Sequence, residues 1–141
     1  MNAPLYTTEI LRLAASLSEP HDLERVDGRS ELRSPTCGSR ISTAVQLDDA
    51  MRVAALSQKV HACAFGQASS ALVERGALGR NRAELEEAVA QLSAWLERGE
   101  QVADWPGISA LAAARLRPAR HGAILLPFRA LLAAIDASGA A

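Results

Sequence analysis

Arg40-Ile41-Ser42-Thr43-Ala44-Val45-Gln46-Leu47 is followed by Asp48-Asp49-Ala50 and then by a run from Met51 to Cys63. In the first run Ile41, Thr43, Val45 and Leu47 alternate with Arg40, Ser42, Ala44 and Gln46. A period of two is the signature of a strand with one buried face. Asp48-Asp49-Ala50 reads as a turn, so the second run returns as the antiparallel partner. Folding about Asp49 puts Cys37 opposite roughly residue 61. The second run changes parity, from Val53 and Ala55 to Leu56, Val60 and Ala62. That change predicts a bulge, which shifts the pairing by about one residue. Cys37 and Cys63, the two cysteines of the chain, are therefore expected at the same end of one hairpin.

The rest of the chain reads outward from this hairpin. Upstream, Tyr6, Ile10, Leu13 and Leu17 recur at helical spacing over residues 4–17, and Ser18-Glu19-Pro20 ends the pattern. Residues 22–34 carry Leu23, Val26 and Leu32 among charges, with Gly28 interrupting. Such a stretch suits an edge strand, where charge blocks sheet-to-sheet pairing. Downstream the pattern turns helical. Residues 64–74 carry Phe65, Leu72 and Val73. Asn81 and Glu84 form a capping-box-like start to a helix with Leu85, Val89, Leu92 and Leu96 on one stripe, ending at Gly99. Residues 100–106 read as a linker and 108–115 as a short helix. The last helix carries Ile124, Phe128, Leu131 and Ile135, with Pro127 inside the pattern. Either that helix is kinked or it begins near Leu125. A helix, grouped strands and then grouped helices predict an α+β fold. Its antiparallel three-stranded sheet would have helices packed on one face.

At 141 residues the chain suits a single domain, 1–141, with a core of its own. A net charge of −1 with scattered arginines, and Lys59 as the single lysine, offers no electrostatic case for nucleic acid or an anionic membrane. No apolar run reaches the roughly 18 residues of a membrane span. The first residues lack the basic and apolar regions of a signal peptide. A cytoplasmic location is the expectation. In a reducing compartment two cysteines are core thiols, a redox pair or metal ligands.

Thiolates at Cys37 and Cys63 suit Fe²⁺, Zn²⁺ or an iron–sulfur unit, or could pass sulfur as a persulfide. Cys37 sits in a Pro-x-Cys-Gly-Ser loop and Cys63 just before a helix, where the positive end of the helix dipole favours a thiolate. The competing reading is two small buried hydrophobes; the loop and helix-start placements argue against it. His61 precedes Cys63 by two residues and shares its face on a strand, which makes it a candidate ligand or a half-buried surface residue. His21, in a polar stretch, reads as solvated, and Asp48 and Asp49 read as turn residues. Nothing matches a phosphate loop, a Rossmann fingerprint or a Ser-His-Asp arrangement.

Three blocks resemble the NifU/IscU-type iron–sulfur cluster assembly scaffold family. Pro35-Thr36-Cys37-Gly38-Ser39 resembles its Pro-x-Cys-Gly-Asp loop. Ala62-Cys63-Ala64-Phe65-Gly66-Gln67-Ala68-Ser69 resembles its Gly-Cys-x-x-x-x-Ala-Ser block, and Leu116 to Leu125 resembles the segment that carries a third cysteine at the start of the final helix. The stretch from Asn81 to Trp105 looks most like the insertion of the SufU branch. The resemblance implies a NifU/IscU/SufE-like α+β fold and a site of three cysteines plus an aspartate or histidine. It implies a scaffold or carrier that takes sulfur from a cysteine desulfurase and works with iron–sulfur assembly factors, and it leaves an enzymatic role in sulfur relay open. Iron, an iron–sulfur cluster or zinc would be bound. The sequence departs from that pattern twice: Ser39 stands at the loop aspartate, and Ala123 or Gly122 at the third cysteine. His121 is the replacement ligand the resemblance suggests. With so few ligands per chain, a homo-oligomer completing the set is consistent. The other readings are a sulfurtransferase-like acceptor and a degenerate binding module of the assembly machinery.

Overall fold

The computed structural model describes residues 6–35 and 38–139. Helix α1 spans Thr8–Ala15, strands β1, β2 and β3 span Gly28–Arg33, Arg40–Leu47 and Val53–His61, and helices α2, α3 and α4 span Ala64–Gly76, Arg82–Arg98 and Pro118–Ala137. A 3-10 helix, Ile108–Leu116, precedes α4. The strands form one antiparallel sheet in the order β1-β2-β3. Helices α4 and α2 lie against one face of it, α1 packs on α2, and α3 packs on α4. This is the α+β arrangement that the grouping of elements predicts.

The alternation in β2 decides which face is covered. Ile41, Thr43, Val45 and Leu47 are buried, and the residues between them are half-buried. Two groups of apolar side chains meet beneath the sheet. The larger joins Val45, Leu47 and Leu56 to Phe65, Leu72, Leu92, Phe128 and Leu131, and the smaller joins Ile41 to Leu126 and Ala130. Burial of apolar area on this scale is the main force holding the layers together.

The hairpin differs in detail from its reading. Arg40 pairs with His61, and Gln46 with Ala55, but Leu47 pairs with Val53. The predicted bulge is therefore present, and it falls at Ala54. The turn is longer than Asp48-Asp49-Ala50, because the Asp48 carboxylate captures two amides. Its Oδ1 accepts from Ala50 N at 2.9 Å and from Arg52 N at 3.0 Å, and Asp48 N donates to Arg52 O at 2.9 Å. Met51 is drawn into the turn with φ 61°, so the second strand starts at Val53 rather than Met51.

Gly28 does not interrupt the edge strand but opens it. A Cβ there would lie 1.9 Å from the carbonyl oxygen of Ala134; only glycine lets β1 approach α4 this closely. Two residues on, Ser30 Oγ donates to Ala130 O at 2.6 Å. The preceding segment is stapled to β2. Asp27 accepts from Leu47 N at 2.7 Å and from Arg25 Nε at 2.9 Å, while Arg25 Nη2 donates to Leu47 O at 2.6 Å.

The helix ends follow their sequence signals. Asn81 and Glu84 form a full capping box, and Gly99 closes α3 in the left-handed region. Of the helix read over residues 4–17, residues 4 and 5 lie outside the described residues, and among the described ones α1 runs from the Thr7 cap to Ala15, ending before Leu17. Helix α4 starts at Pro118 and runs through Pro127. Proline fits at the first helical position because the amide it lacks has no partner there. At Pro127 the helix loses an internal bond, and neighbouring elements bind its backbone. Ser69 Oγ of α2 donates to Ile124 O at 2.6 Å, in the turn the proline disturbs. The supposed linker 100–106 also packs. Trp105 is buried, its indole N–H donates to Leu72 O at 2.9 Å, and its ring meets Phe128 edge-on at 5.0 Å. Residues 108–116 wind as a 3-10 rather than an α-helix, which covers about 2.0 Å per residue and carries the chain farther to Pro118.

Candidate functional site at the end of the hairpin

Two connections meet at the end of the sheet where β2 begins and β3 ends. The β1–β2 loop closes on itself: Ser34 N donates to Ser39 O at 2.9 Å, and Gly38 N to Ser34 O at 3.3 Å. Gly38 has φ 73°, a conformation glycine adopts without strain. Cys37 lies outside the described residues, as does Thr36. The second connection joins β3 to α2 through Ala62 and Cys63. Because Arg40 faces His61 across the ladder, residues 38–39 and 61–63 sit side by side.

Cys63 is the N-cap of α2, with extended backbone angles (φ −67°, ψ 174°) and no capping bond from its side chain. It is half-buried. Its carbonyl accepts from Gln67 N at 2.9 Å, and Gln67 Nε2 donates to Ala62 O at 2.9 Å. These bonds fix the junction. A free helix start presents partial positive charge, and here it opens onto an open pocket of about 370 Å³. Gly38, Ser39, Val60, His61, Ala62, Cys63 and Gln67 line the pocket. No carboxylate is among them. Ser39 is buried at 3% exposure.

The residues that follow Cys37 thus share a pocket with Cys63, at the end of the hairpin where spacing places both cysteines. His121 takes a different position. It is buried, and its Nε2 lies 3.1 Å from both Ala114 O and Arg115 O. Carbonyl oxygens only accept, so Nε2 carries the proton and is occupied, leaving Nδ1 as the one ring atom able to bind a metal. His121 does not line the pocket of Cys63; its imidazole ties the end of the 3-10 helix to the first turn of α4. Ala123, one of the two residues that could stand at the third-cysteine position, is fully buried. A Cβ placed on Gly66 would sit 3.8 Å from its Cβ, so the start of α4 lies against the first turn of α2.

The Ala-Ser pair of the second block has a packing role. Ala68 and Ser69 are fully buried, and Ser69 reaches the Ile124 carbonyl of α4. Small residues here let two helices approach closely. His61, which the strand parity placed beside Cys63, is exposed and does line the pocket. Among the described residues, no group of three or more His, Cys, Asp or Glu side chains converges on a metal position. Nor is any helix among them long and apolar enough to cross a membrane.

A three-stranded antiparallel sheet backed by helices, with a thiol where the last strand meets a helix and a tight hairpin loop beside it, has the NifU/IscU/SufU-type architecture. The resemblance read from the sequence holds in three dimensions. The chain is similar to the N-terminal part of a nitrogen-fixing NifU-like protein from Brucella abortus, with a TM-score of 0.85 and 26% identity over 96% of this chain and 94% of that one. It shares the fold of a protein from Fervidobacterium islandicum described as an iron–sulfur cluster assembly scaffold for the SUF system. There the TM-score is 0.82 and the identity 19%, over 93% of this chain and 96% of the other. A hypothetical protein of known structure has a TM-score of 0.71 and 25% identity, over 90% of this chain and 96% of that one. No family model matches the sequence, and no curated protein matches it.

Proposed function

We propose that this protein is a scaffold-like carrier in iron–sulfur cluster assembly, binding iron or a nascent cluster through Cys37 and Cys63. The observation that supports this reading is the pocket at the hairpin end, which Cys63 shares with Gly38 and Ser39 on a NifU-like fold. Thiolates suit ferrous iron and iron–sulfur units because soft donors favour them. Ala123 and Gly122 bring no thiol, and the pocket brings no carboxylate. A set with few strong protein ligands binds cargo in a labile way, which a protein that must release its cargo needs. Its partners on this reading are a cysteine desulfurase, as sulfur source, and the factors that receive the product.

The test is anaerobic reconstitution with ferrous iron and sulfide. Thiolate-to-iron absorption should appear in the wild-type protein and be lost in both Cys37→Ser and Cys63→Ser. Failure of the wild-type protein to take up iron with or without sulfide would overturn the reading.

A further inference from the structure

We propose that the His61 imidazole is the nitrogen ligand that joins Cys63 in holding the cargo metal ion. This rests on the assembly reading above and adds a donor that the three-cysteine pattern does not contain. His61 is the last residue of β3, and the chain turns two residues later into α2 with Cys63 as its cap. Both side chains line the same pocket. The histidine is exposed, and among the described residues its ring has no hydrogen bond or ion pair. Both ring nitrogens are therefore available.

The other donors near this end of the sheet are less suited. The His121 Nε2 is held by two carbonyls, and that ring lies outside the pocket. Gln67 spends its side-chain amide on Ala62 O, and Ser39 offers a neutral hydroxyl. Imidazole nitrogen and thiolate sulfur together suit ferrous iron, cobalt(II) and zinc, which accept mixed nitrogen and sulfur sets. Of the side chains described at this pocket, His61 and Cys63 are the pair with that chemistry.

Cobalt(II), an optically visible stand-in for ferrous iron, separates this inference from the one beneath it. The full chain is titrated anaerobically with cobalt(II), and bound species are followed by absorption and paramagnetic proton NMR. Wild-type protein should show a thiolate-to-cobalt band and a strongly shifted, exchangeable imidazole N–H resonance. His61→Ala should keep the band, lose the resonance and bind cobalt roughly 10-fold or more weakly, since changes behind the ligands alone cost that much. His121→Gln, whose amide can still donate to the carbonyls, should keep both signals. An unchanged affinity and resonance in His61→Ala, with the thiolate band present, would overturn this inference and leave the thiolate site standing. Loss of the resonance in His121→Gln would overturn it as well. A wild-type protein without the thiolate band would instead remove the site itself. Because His61 is exposed at a strand end, its replacement should leave the urea midpoint unchanged, which excludes unfolding as the cause.

Discussion

Replacing Gly28 with alanine tests how β1 is held against α4. Glycine-to-alanine changes at compatible backbone angles usually stabilise a protein by about 0.4–1 kcal/mol, through the unfolded chain. Gly28 has no positive φ, so backbone strain does not enter. The obstacle is contact. The new Cβ would sit 1.9 Å from Ala134 O, 3.0 Å from Ala134 C and 3.1 Å from Ser138 N, whereas real Cβ contacts are essentially never under 3.0 Å. All three atoms are backbone, so no side chain can swing aside. Strand and helix must separate, which stretches the Ser30–Ala130 bond of 2.6 Å. It also opens the contact of Leu32 with Ile41, Leu126 and Ala130. Overpacking of this kind costs about 1–3 kcal/mol, and the hydrogen bond adds about 1 kcal/mol. After the unfolded-state gain of about 0.4–1 kcal/mol, the net loss is about 1–3.5 kcal/mol. With a urea slope of about 1.5 kcal/mol per molar, the midpoint should fall by about 0.7–2.3 M. Equilibrium urea unfolding followed by circular dichroism measures it directly. A midpoint equal to or above wild type would refute the close approach of β1 to α4.

Two further perturbations read other joints. Ser69→Ala removes the donor to Ile124 O at a fully buried position and should cost about 1–3 kcal/mol. Ser70→Ala removes only a bond to Gly66 O within its own helix and should stay within about 0.5 kcal/mol; equal losses in urea unfolding would contradict these roles. Asp27 has its carboxyl held below the ordinary aspartate range, first by the hydrogen bond from Arg25 and then by that from Leu47 N. A lowered folded value means stability that is present above the ordinary value, about 3.9. It is lost as pH falls through the lower, folded one. The difference in urea midpoint between wild type and Asp27→Asn should therefore be constant near neutrality and shrink as pH falls below about 4. A difference that grew under acid would contradict the assignment.

Much of the architecture was legible because it depends on local periodicity. Ile41 to Leu47 alternate, so their burial follows from the pleat alone. The parity change after Ala55 predicts a bulge, and one is present, at Ala54. Asn81, Glu84 and Gly99 marked the ends of α3 because capping is chemistry between neighbours. Features that depend on distant partners leave no local pattern. Gly28 looked like an interruption because its reason, the carbonyl of Ala134, lies more than a hundred residues away. Residues 100–106 looked like a linker because the acceptor for Trp105 is on α2. Met51 reads as part of the strand because the reach of the Asp48 carboxylate to Ala50 N and Arg52 N is not visible as a pattern.

The candidate site divides along the same line. The sequence by itself determined that a thiol stands at the start of α2, that His61 shares its side of the chain, and that no third thiol follows in the last helix. These are matters of residue type and spacing. Only the tertiary structure decided which histidine lines the pocket of Cys63. His121 looked available in sequence, yet its Nε2 is taken by the carbonyls of Ala114 and Arg115. The last carbonyls of the 3-10 helix lie beside the first turn of α4, and the packing of α4 puts the His121 N–H where it reaches both Ala114 O and Arg115 O. His61, at the open end of the sheet, has no ring partner among the described residues and lines the pocket with Cys63.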